Sequence, residues 1–290
     1  MKWYIIAPAA LFVLVIYMFI QALSFKIRFF TLPSKAGIRF FHLTDVHIRR
    51  LFISAKRIKK AIEKTNPDYI LFSGDLLEKP EDLNKLEKWL KNINIKVPVY
   101  AVLGNHEHKC FREHPSFKNE FLGVMKELNI EVLNNDVVIL KDNNGLISTD
   151  KNGIKSLDKN DLKPLDKNGS MALIGIRDCK AGNLIDNRIL LDLRKQYECV
   201  IAFSHSPDIS LLIPENTVDI LIVGHLHGGQ IWLPFNLEYL ILRKDNLSKM
   251  GYYKGFATIR GNRIYISRGL GTVLFPFRFL SIPEVTVFDA

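Results

Sequence analysis

A chain of 290 residues, 48% hydrophobic and 24% charged, has the composition of a globular protein and the length for a large core, which excludes wholesale disorder. Its formal net charge of +10 falls almost wholly after residue 25, because Lys2 is the only earlier basic residue; an anionic membrane surface, a phosphorylated substrate or nucleic acid would suit it. Three widely spaced cysteines, Cys110, Cys179 and Cys199, give no disulfide framework or zinc-finger pattern and point to a reducing compartment.

Residues 3–23, WYIIAPAALFVLVIYMFIQAL, carry no charge, and a run of that length can cross a bilayer as a helix. A cleaved signal peptide is the rival, since Ala22-Leu23-Ser24 has a small-x-small pattern. The apolar run exceeds the usual core of about 7–15 residues in a signal peptide, which favours retention. Lys26, Arg28, Lys35 and Arg39 outweigh the charge before the helix, so the positive-inside rule places the following domain in the cytoplasm, at the inner membrane. The expected organisation is a transmembrane anchor over 1–25, a juxtamembrane linker over 26–36 and one domain over 37–290.

From residue 38 the pattern alternates. IRFFHLTD, DYILFSGD and VPVYAVLGN have strand character, and SAKRIKKAIEKTN, EDLNKLEKWLKNIN and SFKNEFLGVMKELN have helical periodicity, which together predict an α/β layer architecture. IEVLN, VVILK, MALIGIRD, ECVIAFSH, VDILIVGH, GFATIR, NRIYISRG and PEVTVFDA make the second half richer in strands and add antiparallel character. Between them, Asp-Lys-Asn recurs at 150, 158 and 166 in a polar stretch within 142–169. It lacks calcium-loop spacing and is expected to be a solvated insertion.

The chemistry falls where the strands end. HLTDVH supplies Asp45 and His47, FSGD supplies Asp75, and GNHE supplies Asn105, His106 and Glu107. FSH supplies His205, and VGHLHGGQ supplies His225 and His227. Five of the eight histidines lie at such ends. Ligands of open α/β sheets bind outside the carboxyl ends of strands, so five coincidences on one edge are expensive by chance. Oxygen and imidazole donors without thiolates suit manganese, iron, zinc or cobalt. Two aspartates, one asparagine and four histidines exceed one tetrahedral ion and fit two, about 3.5–4 Å apart, with one aspartate between them. Two such cations acidify a water and hold phosphoryl oxygens for in-line attack.

The series D-x-H, G-D, G-N-H-E, a lone H and G-H-x-H, in that order across 38–290, resembles the calcineurin-like metallophosphoesterases. GHLHGGQ followed by YKGFATI, RIYISRGLGT and PFRFLSIPEV is similar to a membrane-associated bacterial branch of that family. That branch includes cell-envelope phosphodiesterases and a chlamydial-type UDP-2,3-diacylglucosamine diphosphatase of lipid A synthesis. The resemblance implies two mixed β-sheets in a central sandwich flanked by helices. It implies that Asp45, His47 and His227 hold one divalent ion, manganese foremost, and that Asn105, His205 and His225 hold a second, with Asp75 bridging. His106 would not bind metal but would donate a hydrogen bond or a proton at the leaving-group oxygen, and Glu107 would orient His106.

The expected activity is hydrolysis of a phosphodiester or pyrophosphate in a lipid-linked substrate at the membrane. A nuclease or nucleotide phosphodiesterase is the alternative; it fits the charge, but no basic tract is interleaved with aromatics and a single-span anchor does not favour it, so no nucleic acid is expected. A non-catalytic scaffold is the third reading, and the complete ligand set speaks against it. Oligomeric state is not readable. His42 is expected to pack rather than bind, and Cys110 to be inert. In VLFPFRFL, residues 273–280, alternating Phe275, Phe277 and Phe279 suit core packing, with bilayer or acyl-chain contact as the rival reading.

Overall fold

A computed structural model describes residues 3–34, 36–141, 170–231 and 245–290; the polar insertion expected over 142–169 lies outside the described residues. Strands run, in chain order, Lys26–Thr31 (β1), Arg39–Leu43 (β2), Tyr69–Ser73 (β3), Val99–Val102 (β4), Ile130–Val132 (β5) and Asp136–Lys141 (β6). Then follow Ser170–Gly175 (β7), Cys199–Phe203 (β8), Ile220–Val223 (β9), Gly255–Ile259 (β10), Asn262–Ile266 (β11) and Glu284–Asp289 (β12). They form two six-stranded sheets, ordered β1-β12-β2-β3-β4-β5 and β10-β11-β9-β8-β7-β6. In the first sheet β2 to β5 are parallel and β12 is antiparallel to β2. In the second, β7, β8, β9 and β11 are parallel, and antiparallel pairing is confined to its two edges, β6 and β10.

Both faces of each sheet are covered, which is why YILFS, CVIAF and ILIV are apolar without alternation. Successive residues of a strand point to opposite faces. Thus Phe40, Tyr69, Leu71 and Tyr100 meet Leu173, Ile201, Phe203 and Ile222 between the sheets. Phe41, Ile70, Phe72 and Ala101 turn outward onto helices Ala55–Thr65 (α2) and Leu83–Ile93 (α3) and onto Phe117–Glu127 (α5). Helix Asn187–Gln196 (α6) covers the outer face of the second sheet through Leu190 and Leu193. The sandwich implied by the family resemblance is therefore observed.

Three elements depart from the sequence reading. Lys26–Thr31, expected in a linker, is the edge strand of the first sheet, paired in parallel with β12. Its basic residues hid this: Arg28 is neutralised across the pair by Glu284, at 2.6 Å. The GNHE turn opens a nine-residue helix, Asn105–Glu113 (α4), and α6 was not anticipated. Ahead of β1 stands helix Trp3–Leu23 (α1), which among the described residues is the one helix long and apolar enough to cross a membrane; only 11% of its most apolar window is buried.

Candidate active site

Five of the candidate residues occupy left-handed backbone just beyond their strands: Asp45, His47, Asp75, His225 and His227. Branched or ringed side chains avoid that region at a cost of about 1–2 kcal/mol each, and such strain collects at functional sites. Hydrogen bonds over-determine it. Asp45 N donates to Gly74 O at 3.1 Å, His47 N to Asp75 O at 2.9 Å, and His225 N to Asp45 Oδ2 at 2.9 Å. The loops press so closely that glycine is required between them: a Cβ on Gly224 would sit 2.1 Å from Thr44 Oγ1 and 2.3 Å from Asp45 Oδ2.

The side chains converge. Donor atoms of Asp45, His47 and His227 lie within 4.8 Å of one another, as do those of Asp75, His205 and His225. His47, Asp75 and His106 form a third such group, linking the two. Asp75 Oδ2 is 3.1 Å from His205 Nε2, 3.6 Å from His47 Nε2 and 4.0 Å from His106 Nε2. Asn105 Oδ1 reaches His205 Nε2 at 2.9 Å, and His225 Nδ1 lies 3.1 Å from the same atom. All seven expected ligands thus meet at one place, with Asp75 central. Asn105 and His106 are half-buried and form the open side; the other six are buried.

The cluster is built for a cation. Burial would raise the Asp75 pKa, yet His205, His106 and His47 hold it well below the usual carboxylate range. Burial would lower His205, but Asp75 pushes it up to about 10. Buried carboxylates demand compensating positive charge, which divalent ions supply. His47 Nε2 points into the cluster, buried and without a hydrogen-bond partner, as an imidazole waiting for a ligand would be. The donor set is oxygen and nitrogen throughout, and the residues fit a pair of hard or borderline cations.

Further groups orient these side chains, and the sequence alone did not reveal them. Glu78 Oε1 stands 3.4 Å from His47 Nδ1, and Asp245 Oδ1 stands 3.1 Å from His225 Nε2; carboxylate–histidine pairs of this kind fix ring orientation in metal sites. Lys180 Nζ contacts His225 Nε2 at 2.7 Å and also pairs with Asp245. The guanidinium of fully buried Arg278 donates to the His227 carbonyl at 2.8 Å. Glu78 follows Asp75 by three residues and was within reach of inspection; Asp245, Lys180 and Arg278 carry no local signal. Glu107 corrects an expectation. Its buried carboxylate accepts N–H bonds from Asp75 (2.9 Å), Leu76 (2.5 Å), Leu77 (3.0 Å) and Gly104 (2.8 Å), so it braces the loops rather than orienting His106. His42 is packed, bonded to Ser73 Oγ at 2.6 Å, and burial brings its pKa down to about 3. Burial pushes the Cys110 thiol up to about 11, so it is inert at neutral pH.

A sandwich of two mixed sheets with imidazoles and carboxylates at adjoining strand ends defines a metal-dependent phosphoesterase. The sequence matches the calcineurin-like phosphoesterase family over residues 38–229, and the chain belongs to that family. It is 26% identical over 258 residues to YkoQ, an uncharacterized metallophosphoesterase of Bacillus subtilis, covering 88% of this chain and 84% of that one. It is 24% identical to the phosphodiesterase YaeI of Escherichia coli, covering 93% and 87% of the two chains. It is 23% identical to the UDP-2,3-diacylglucosamine pyrophosphatase LpxG of Chlamydia muridarum, covering 87% and 83%.

Proposed function

We propose that the protein is a membrane-anchored phosphohydrolase that cleaves a phosphodiester or pyrophosphate bond in a lipid-linked molecule, UDP-2,3-diacylglucosamine being the first candidate. The observation that carries the chemistry is the meeting of two three-residue donor groups around the buried Asp75. On this reading Asp45, His47 and His227 hold one ion, Asn105, His205 and His225 the other, and Asp75 serves both; manganese suits the donors, as do iron, zinc and cobalt. The ions supply polarisation of a phosphoryl oxygen and acidification of a water. The chain's own residues do the rest. His106, 27% exposed at its side chain, faces the open side of the cluster and donates a proton at the leaving oxygen. It stands at the N-terminus of α4, whose dipole favours an approaching phosphate. Lys180, also partly exposed, adds a positive charge beside His225.

The lipid-linked part of the proposal is supported by α1, uncharged along its length and mostly exposed, and by the likeness to LpxG. Residues 1–25 are read as a retained anchor and the chain from β1 onward, 26–290, as the catalytic domain, with the domain on the cytoplasmic side. Full-length protein in detergent tests the reading. Chelation should abolish cleavage of bis(p-nitrophenyl) phosphate, and manganese should restore it. With UDP-2,3-diacylglucosamine, mass spectrometry should find UMP and the lipid monophosphate. Cleavage of the aryl diester alone discards the lipid substrate, and cleavage of neither, with no metal retained, discards the catalytic reading.

A further inference from the structure

We infer that residues 273–280, with Phe52, form an apolar lip that sinks into the bilayer beside α1, so that the site opens at the level of the lipid headgroups; this rests on the reading of α1 as a retained anchor. The lip is attached to α1 well inside the helix. Arg278 N donates to Met18 O at 3.1 Å, the Phe279 ring meets Tyr17 edge-on at 6.3 Å, and Phe52 meets Phe19 at 5.2 Å. A helix of 21 residues is about 32 Å long. The hydrocarbon core is about 30 Å thick, so a spanning α1 needs nearly every turn. Tyr17 and Met18 precede the helix end at Leu23 by five or six residues, about 8 Å along its axis. Whatever packs on them reaches the edge of the hydrocarbon.

The lip has the surface for that depth. Leu274 is 74% exposed, Phe275 59% and Leu280 50%, and Phe52 is 38% exposed beside them. Thr272 Oγ1 donates to Arg50 O at 3.2 Å, which joins the two segments into one surface. The one charge in VLFPFRFL, Arg278, is fully buried with its guanidinium turned inward to the carbonyls of His227, Arg268 and Gly271. Leu274 and Leu280 sit in left-handed backbone, at φ 62° and 53°, which turns their side chains outward instead of into the fold. The lip is also fastened to the site. The Gln230 side chain, three residues past His227, donates to Val273 O at 2.8 Å and Phe275 O at 3.0 Å and accepts from Val273 N at 2.8 Å. Insertion therefore sets the height of the His227 loop above the lipid, which favours a phosphate presented from the membrane plane over one arriving from bulk solvent.

Depth-dependent quenching tests this. Full-length Leu274→Trp, Phe275→Trp, Phe12→Trp (in α1) and Leu191→Trp (on α6) are each reconstituted in bilayers of acyl-brominated lipid, with the parent's emission subtracted. The expected result is quenching of the added emission at 12, 274 and 275 and none at 191. Quenching at 12 without quenching at 274 and 275 overturns the lip. Absence of quenching at 12 overturns the anchor reading itself.

Discussion

The metal-site loops and the lip both hold side-chain-bearing residues in left-handed backbone, and they differ in where those side chains end up, buried in the one and exposed in the other. At Asp45, His47, Asp75 and His225 the conformation is locked from within: buried backbone hydrogen bonds cross between the loops, and Glu107 ties four N–H groups together beneath them. At Leu274 and Leu280 the strained residues face outward and are mostly exposed. Strain at the site is compensated inside the fold and serves pre-organisation. At the lip the Gln230 side chain holds the backbone on either side of Leu274, yet the leucine side chain itself is turned outward, and that exposure is what a surrounding of lipid explains.

The sharpest break of this contrast is at His106. If the site is rigid without it, His106→Ala should lower kcat by roughly 10²–10⁴-fold while bound metal, measured by plasma mass spectrometry, stays at the parental ratio. Loss of metal together with activity would make His106 a ligand, as its proximity to His47 and Asp75 allows. Next comes Asp245→Asn. It removes the carboxylate behind His225 and should weaken metal retention by about 10–100-fold in a competition with chelator, without unfolding the chain. Unchanged retention would reduce Asp245 to a partner of Lys180.

Glu107→Gln probes the bracing directly. A carboxamide cannot accept from all four N–H groups, so the cost should be about 1–3 kcal/mol. A melt should show it as a fall in Tm of about 2–4 °C per kcal/mol. His106 should keep its role, because the Glu107 carboxylate is bonded to the loop backbone and not to that ring. A variant with parental Tm and a defect confined to proton transfer would restore the orienting role expected from the sequence.

What the sequence made legible was chemistry that is local to strand ends. Asp45, Asp75 and His205 each follow the last residue of a strand by two, so strand recognition alone aligned them on one edge. The second sheet was not legible, because parallel strands such as β7 to β9 pair across crossovers and carry no hairpin signal. β1 was hidden because its partner, β12, lies at the far end of the chain. The same distance concealed Asp245 and Arg278, whose functional contacts depend on how three loops fold over one another. Glu107 was visible but misread: its neighbour in sequence is His106, while its partners in space are the backbone of 75–77 and Gly104.

The smallest effect tests the lip's side of the contrast. Asparagine accepts left-handed backbone more readily than leucine, so Leu274→Asn should relieve strain of up to about 1 kcal/mol. Detergent-solubilised protein should then melt no lower than the parent and up to about 2–4 °C higher. The same variant should turn over a bilayer-embedded lipid substrate more slowly while keeping the parental rate on a soluble aryl diester, because the side chain touches no part of the cluster. A lower Tm would show that Leu274 packs within the fold, and its exposed, strained position would then need an explanation other than lipid. A higher Tm with impaired interfacial turnover would place this leucine among residues kept for function at a cost in stability.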